Sequence, residues 1–182
     1  MRLNRATWIL RAALMTAVTF TGTAARAADG ARSADATVIR RVVVSIPDRK
    51  LAVLDNDQIV SIYAVAVGAP VSPSPAGTFS VVNRVSNPTY YKPGKVVGPG
   101  ARNPVGTRWI GLSAKGYGIH GTDRPRSIGF AKSHGCIRLR NEDVERLFEQ
   151  LRAGDVVELH AERTPEVVRL FAEPLTVLLT EP

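Results

Sequence analysis

Short apolar runs rich in β-branched residues, separated by turn-forming residues, extend from Val38 to His160. Runs of this kind predict β-strands. Between Lys92 and Gly106, seven of fifteen residues are Gly or Pro, which predicts a long surface loop without regular structure, of a kind that often borders a binding site. The predicted strands cover residues 42–46, 51–54, 59–67, 77–82, 109–112, 117–120, 137–139 and 156–160.

One amphipathic helix interrupts the strand pattern. Val144, Leu147, Phe148 and Leu151 recur at positions i, i+3, i+4 and i+7 and form a single apolar stripe. Asn141 precedes this stripe and is expected to cap the start of the helix. The pattern therefore predicts a mainly β domain with one main α-helix.

The first 27 residues have the composition of a secretory signal peptide. A basic start containing Arg2, Arg5 and Arg11 leads into an uncharged run of 14 residues, and Ala25-Arg26-Ala27 fits the small-x-small cleavage pattern. The run is shorter than the ~20 residues that span a bilayer, which disfavours the alternative of an uncleaved membrane anchor. We expect export to the periplasm or cell wall, with no stable membrane anchor after cleavage.

Three segments follow the predicted signal peptide. Residues 28–37 are small and polar and are expected to be a linker, and residues 38–160 carry the strand and helix patterns of a single domain. Residues 161–182 form a C-terminal extension, in which residues 165–171 fit a helical turn and residues 175–179 an added strand. No internal repeat or heptad pattern is visible.

Composition excludes several classes of protein. The chain has 182 residues, of which 45% are hydrophobic and 22% charged, so it is neither a disordered chain nor a coiled coil. The formal charge is +8, but residues 1–27 hold four arginines and no acidic residue; without them, 20 basic residues face 16 acidic ones. This excess is too small to indicate a nucleic-acid partner.

Cys136 is the single cysteine of the chain and has no partner for an internal disulfide. It follows Ser133-His134-Gly135, and His120 ends another predicted strand. A thiol with a pKa of ~8.5 needs a base or a positive neighbour to attack a carbonyl quickly. In an extended segment His134 shares a face with the thiol, whereas His120 reaches it only if the two strands pair.

Gly135 allows close approach of the backbone to a substrate, and amide groups near Cys136 offer an oxyanion hole. Two alternatives stay open at this point: a buried, inert cysteine, and a metal site formed by His120, His134 and Cys136. Residues 116–121 also satisfy G-x-G-x-x-G, but residues 122–126 contain a proline and no helical period, which excludes a dinucleotide-binding loop.

Several ordered blocks resemble the signature of the L,D-transpeptidase catalytic domain (YkuD) family. The blocks are GIHGT at 118–122, SIG at 127–129 and SHGCIRL at 133–139, with PAGTF at 75–79, NPVG at 103–106 and NEDV at 141–144 around them. The resemblance covers residues 38–160 and implies a single β-sandwich domain of the L,D-transpeptidase type with one main α-helix. No separate wall-binding repeat is visible.

The resemblance implies a role for each matching residue. It makes Cys136 the nucleophile and His120 the general acid and base, with the backbone carbonyl of Gly121 orienting the imidazole. His134 and Gly135 are implied to line the acyl pocket.

Two further residues of the motif belong to the implied substrate site. Arg138 stands where many members carry Asn, and either pairs with a carboxylate of the substrate or forms an ordinary salt bridge. Ser133 fits a structural hydrogen-bonding role better than that of a second nucleophile.

The implied activity is acyl transfer between peptidoglycan stem peptides, with neither metal nor cofactor. The cysteine takes the acyl group of a stem tetrapeptide after its third residue and passes it to an amine, which cross-links or remodels the cell wall. A carboxypeptidase-type hydrolase with water as acceptor is an alternative, because the acceptor depends on the shape of the cleft. A non-catalytic peptidoglycan-binding module is a third possibility, which the intact His120 and Cys136 motifs disfavour.

Overall fold

The computed structural model describes residues 39–100 and 102–172. The predicted signal peptide, the linker at 28–37 and the strand predicted at 175–179 lie outside the described residues, and the proposed domain boundaries stay predictions. Among the described residues, no helix is long and apolar enough to cross a bilayer.

The described chain is built from strands, with two helices and a short 3-10 turn at Pro125–Ser127. The helices are α1 (Asn141–Gln150) and α2 (Pro165–Phe171). The strands are β1 (Arg40–Ser45), β2 (Lys50–Asp55), β3 (Gln58–Ala64), β4 (Val67–Gly68), β5 (Gly77–Ser86), β6 (Tyr90–Lys92), β7 (Lys95–Val97), β8 (Arg108–Leu112), β9 (Gly118–His120), β10 (Ala131–Ser133), β11 (Ile137–Arg138) and β12 (Val156–His160).

One eight-stranded sheet, in the order β11-β9-β8-β5-β12-β1-β2-β3, forms the body of the domain. Leu51 near one end of the sheet and Ile137 at the other end belong to the same buried core, together with Val144 and Leu147 of α1. Because the two ends share one core, the sheet curls over it. The predicted mainly β fold with one main helix is confirmed.

Both faces of β1 and β2 are buried, which explains their unbroken apolar sequences. Val42 and Val44 of β1 face the main core, whereas Val43 faces a second cluster. In that cluster α2 packs through Val167 and Phe171 against the outer face of these strands. The helical turn predicted at residues 165–171 is thus a short helix.

Two predictions about strands were wrong in detail. The apolar run at 59–67 is divided between β3 and β4, because the chain leaves the main sheet and β4 pairs with β10. Between the two strands, the N–H of Ala66 donates to the carbonyl of Arg138 at 2.8 Å and the N–H of Arg138 donates to the carbonyl of Ala66 at 2.9 Å. Residues 92–106 are not entirely irregular, since β6 and β7 form a hairpin around Pro93-Gly94. Gly94 has φ = +72°, so these residues form a tight turn.

The prediction for Asn141 was also wrong. Arg140 occupies the N-cap position of α1 and Asn141 is already helical. The side chain of Asn141 instead accepts a hydrogen bond from the N–H of Thr122, at 3.1 Å. This contact ties the start of α1 to the chain that follows β9.

Candidate active site

Strand pairing brings His120 beside the segment that carries the cysteine. β9 runs antiparallel to β8 and parallel to β11, so that His120 is the register partner of both Trp109 and Arg138. The carbonyl of His120 accepts from the N–H of Leu139 at 2.9 Å. The strand pairing that His120 needs in order to lie near the Cys136 thiol is therefore present.

The imidazole of His120 is fixed on two sides. Its Nδ1 is 2.6 Å from the carbonyl oxygen of Gly121, and Trp109 stacks on the ring with centroids 5.5 Å apart. Because a carbonyl oxygen only accepts, Nδ1 carries the proton and Nε2 presents a lone pair. The side chain is 5% exposed, and burial lowers the pKa of His120 to about 4. The imidazole is neutral at pH 7.

The Gly121 carbonyl is itself held by tight packing. A Cβ on Gly121 would lie 2.1 Å from Oδ1 of Asn141 and 3.1 Å from Cα of Gly106. The N–H of Gly121 donates to the carbonyl of Arg108 at 3.2 Å. Only glycine fits this position, because the start of α1 and residue 106 close on it from both sides.

Ser133 organises the turn before the cysteine. Its Oγ donates to the carbonyl of Cys136 at 2.6 Å and accepts from the N–H of Gly135 at 3.0 Å. Ser133 is buried and does not line the neighbouring cavity, so its position fits the structural role. The N–H of Gly135 is taken by this contact and is not a free oxyanion donor.

Gly135 is required by conformation and packing. Its φ is +107°, and a Cβ there would lie 2.6 Å from Cε1 of Tyr117 and 3.2 Å from the carbonyl of Pro73. The Cβ side of Gly135 is therefore filled by Tyr117 and Pro73. The turn is bent and not extended, yet His134 and Cys136 still line the same cavity.

The Cys136 thiol is half-buried and contacts backbone groups. Its Sγ donates to the carbonyl of Gly116 at 3.7 Å. Burial raises the pKa of the thiol, opposed by a hydrogen bond from the backbone of Gly118 and by the charge of Arg138. The thiol is thus protonated at neutral pH and needs a base to become a nucleophile.

Arg138 is a cation close to the thiol. It is partly buried, and burial and the neighbouring charge of Arg124 lower its pKa. One of its terminal nitrogens donates to the carbonyl of Lys132 at 3.2 Å, while its buried Nε has no partner among the described residues. No ion pair within the described ranges neutralises Arg138, which argues against the ordinary salt bridge.

A cavity of about 960 Å³ joins these groups. His120, His134, Cys136 and Arg138 line it, together with Trp109, Gly116 and residues 85, 87–92, 104 and 105. Lys92, Pro104 and Val105 of the loop predicted at 92–106 line this cavity. Within the described residues, no group of three or more His, Cys, Asp or Glu side chains could hold a metal ion.

Some residues of the site had no sequence signal. Trp109 and Tyr117 read as ordinary strand residues, and the side chain of Asn141 reaches Thr122 across 19 positions. These contacts follow from strand pairing and helix placement, which hydrophobic periodicity does not specify.

Comparisons with known proteins agree with this architecture. The family model described as YkuD, L,D-transpeptidase catalytic domain, matches residues 39–159. YqjB of Bacillus subtilis strain 168, which carries the name L,D-transpeptidase, is 41% identical over 118 residues, covering 62% of this chain and 66% of YqjB.

Solved structures share the fold. An L,D-transpeptidase from Mycobacterium smegmatis aligns with a TM-score of 0.58 and 20% identity over 68% of this chain and 59% of its own. L,D-transpeptidase 3 from Mycobacterium tuberculosis, in complex with a faropenem-derived adduct, aligns with a TM-score of 0.55 and 22% identity over 68% of this chain and 60% of its own.

The chain belongs to the L,D-transpeptidase catalytic domain (YkuD) family, which confirms the resemblance noted in the sequence. It spans slightly less than two thirds of the length of YqjB.

Proposed function

We propose that the chain is an exported L,D-transpeptidase that acylates Cys136 with a peptidoglycan stem tetrapeptide and transfers the acyl group to an amine. The observation that carries this proposal is the common cavity of Cys136 and His120, in which the contact with Gly121 leaves Nε2 of His120 unprotonated. Family membership supports a substrate drawn from peptidoglycan peptides.

The first half-reaction uses the neutral thiol and the neutral imidazole. Nε2 of His120 takes the Cys136 proton as Sγ attacks the carbonyl carbon of the third residue of the donor. The peptide C–N bond then breaks, and the imidazolium returns the proton to the leaving amine. A thioester and a free terminal amino acid result.

The second half-reaction reverses these roles. An acceptor amine attacks the thioester carbon, its proton passes to Nε2, and the C–S bond breaks to give a new amide. The imidazolium then protonates the Cys136 sulfur. Burial makes each charged intermediate costly. The Arg138 cation beside the thiol offsets part of this cost, because it stabilises the developing negative charge.

The cavity offers matching contacts for a charged peptide. Arg138 and Lys92 supply positive charge for its carboxylates, and Tyr90, Tyr91 and Trp109 supply flat apolar surface. His134 is exposed at the cavity and is assigned to donor contact. Gly135 and Ser133 are assigned to holding the turn that presents the thiol.

The test is mass spectrometry of stem tetrapeptides incubated with the purified protein. A cross-linked dimer, or a tetrapeptide whose terminal residue exchanges with an added D-amino acid, supports transpeptidation. A trimmed tripeptide alone supports the hydrolase, and binding without any product supports the non-catalytic module. Export is tested separately by N-terminal sequencing of the secreted protein, which should begin near Ala28.

A further inference from the structure

A second concavity lies beside the catalytic cavity. It has a volume of about 460 Å³ and lies between the 3-10 turn and β10. We call it the basic hollow; its lining is Asp123, Arg124, Pro125, Arg126, Ser127 and Lys132.

The basic hollow adjoins the catalytic cavity through one contact. Lys132 lines the hollow, and its carbonyl accepts a hydrogen bond from Arg138, which lines the catalytic cavity. A ligand in the hollow would therefore lie near Arg138, a lining residue of the catalytic cavity.

Positive charge exceeds negative charge in the lining of the hollow. Arg124, Arg126 and Lys132 face one acid, Asp123, and none of the three cations forms an ion pair within the described ranges. The side chain of Lys132 lies 4.9 Å from the ring centre of Phe130. Arg124, Arg126 and Lys132 are all exposed to solvent.

The convergence of these cations has an electrostatic cost. Burial and then the charge of Arg124 lower the pKa of Arg138, and the Asp123 carboxylate opposes them. Like charges that face one another repel, and an anion bound between them relieves that repulsion. The hollow is in the size range of small-ligand pockets, which favours one carboxylate-bearing peptide group over an extended lipid surface.

We propose that the basic hollow binds a carboxylate of the acceptor stem peptide and so directs its amine toward the Cys136 thioester. This inference rests on the proposed function. Once the donor occupies the cavity around Cys136, a second anionic peptide has to approach from the adjoining surface, and the hollow is the cationic surface that meets the cavity at Arg138.

The first measurement is direct binding, for which Cys136→Ala removes all chemistry. A stem tripeptide with a free terminal carboxylate and its terminal amide are titrated, and binding is followed by nuclear magnetic resonance. The free acid should bind about tenfold more tightly than the amide. Adding Arg126→Glu should remove that difference, because a repulsive charge replaces an ion pair.

Arg169→Glu is the matched control, since Arg169 is exposed on α2 and makes the same change in net charge away from the hollow. It should alter affinity less than twofold. The proposal would be overturned if the free acid and the amide bound with equal affinity, or if Arg126→Glu and Arg169→Glu changed the affinity equally. Tighter binding of inorganic phosphate than of the peptide would overturn it as well.

The second measurement is turnover of the Cys136 protein with a fixed donor and varied acceptor. Arg126→Glu should raise the acceptor KM about tenfold, and 0.5 M salt should weaken this acceptor preference in the wild type more than in the variant. An unchanged acceptor KM would refute the inference while leaving transpeptidation intact. Failure of the proposed function would instead appear as carboxylate-specific binding without transfer by the wild type.

Discussion

Burial of His120 should make the stability of the fold depend on pH in a way that one substitution removes. The folded-state pKa of His120 is about 4, against an ordinary value of 6.5. As pH falls below 6.5, the unfolded chain takes up the proton first, so the free energy of unfolding decreases. The loss continues until the pH passes the folded-state pKa.

The magnitude follows from the separation of the two pKa values. A difference of one unit corresponds to about 1.4 kcal/mol. With these pKa values, the free energy of unfolding falls by about 2 kcal/mol between pH 7 and pH 5, and by about 3 kcal/mol between pH 7 and pH 4. The interval from pH 7 to 5 is preferable because Asp55, whose pKa is lowered by its bond to Arg40, remains ionised there.

Urea unfolding at pH 7 and pH 5 measures the effect, with His120→Gln as the control. Glutamine does not titrate and retains an amide donor for the Gly121 carbonyl. The wild type should lose about 2 kcal/mol more than His120→Gln over this interval. Equal losses in the two proteins would refute the claim that burial holds His120 neutral.

Three further predictions concern the reaction. His120→Ala should lower the rate of Cys136 acylation by ~10²–10⁴ through loss of the base, whereas His134→Ala should chiefly weaken donor binding, as stopped-flow acylation across pH will show. Asn141→Leu, which removes the acceptor for the Thr122 N–H, should slow acylation about tenfold and shift the acidic limb of its pH profile to lower pH, because the Gly121 contact that loosens raises the pKa of His120; Asn141→Asp should retain activity. Dialysis against a strong chelator should leave turnover unchanged, because acylation needs a free sulfur.

Each of these predictions has a clear contrary result. If His134→Ala moves the pH at which the thiol reacts and His120→Ala does not, the two roles must be exchanged. An unaltered pH profile in Asn141→Leu, with only lower stability, would make that residue purely structural. Activity lost to the chelator and restored by zinc would support the metal site.

The sequence was most informative where local patterns decide structure. The apolar runs of β1 and β2, the apolar stripe of α1 and the strands that carry residues 118–120 and 137–138 are all local features. The sequence did not show whether His120 lies near Cys136, because this depends on which strands pair.

Contacts between distant segments were not predictable from periodicity. Asn141 looked like a helix cap because Asn favours that position, but tertiary packing turned its side chain toward Thr122. Gly135 was expected to let the backbone approach a substrate, whereas its positive φ and its contact with the ring of Tyr117 are requirements that periodicity does not show. The glycine and proline residues of 92–106 predicted a loop without regular structure, whereas Pro93 and Gly94 form a hairpin turn.

The central claim is that Cys136 forms a thioester with a stem tetrapeptide. Intact-protein mass spectrometry of the wild type and Cys136→Ala, each mixed with tetrapeptide or with a carbapenem-type acylating agent, tests it most directly. We predict one added acyl mass on the wild type, mapped to Cys136 by digestion, and no added mass on Cys136→Ala. An adduct that persists in Cys136→Ala, or a wild type that never becomes acylated, would contradict the account.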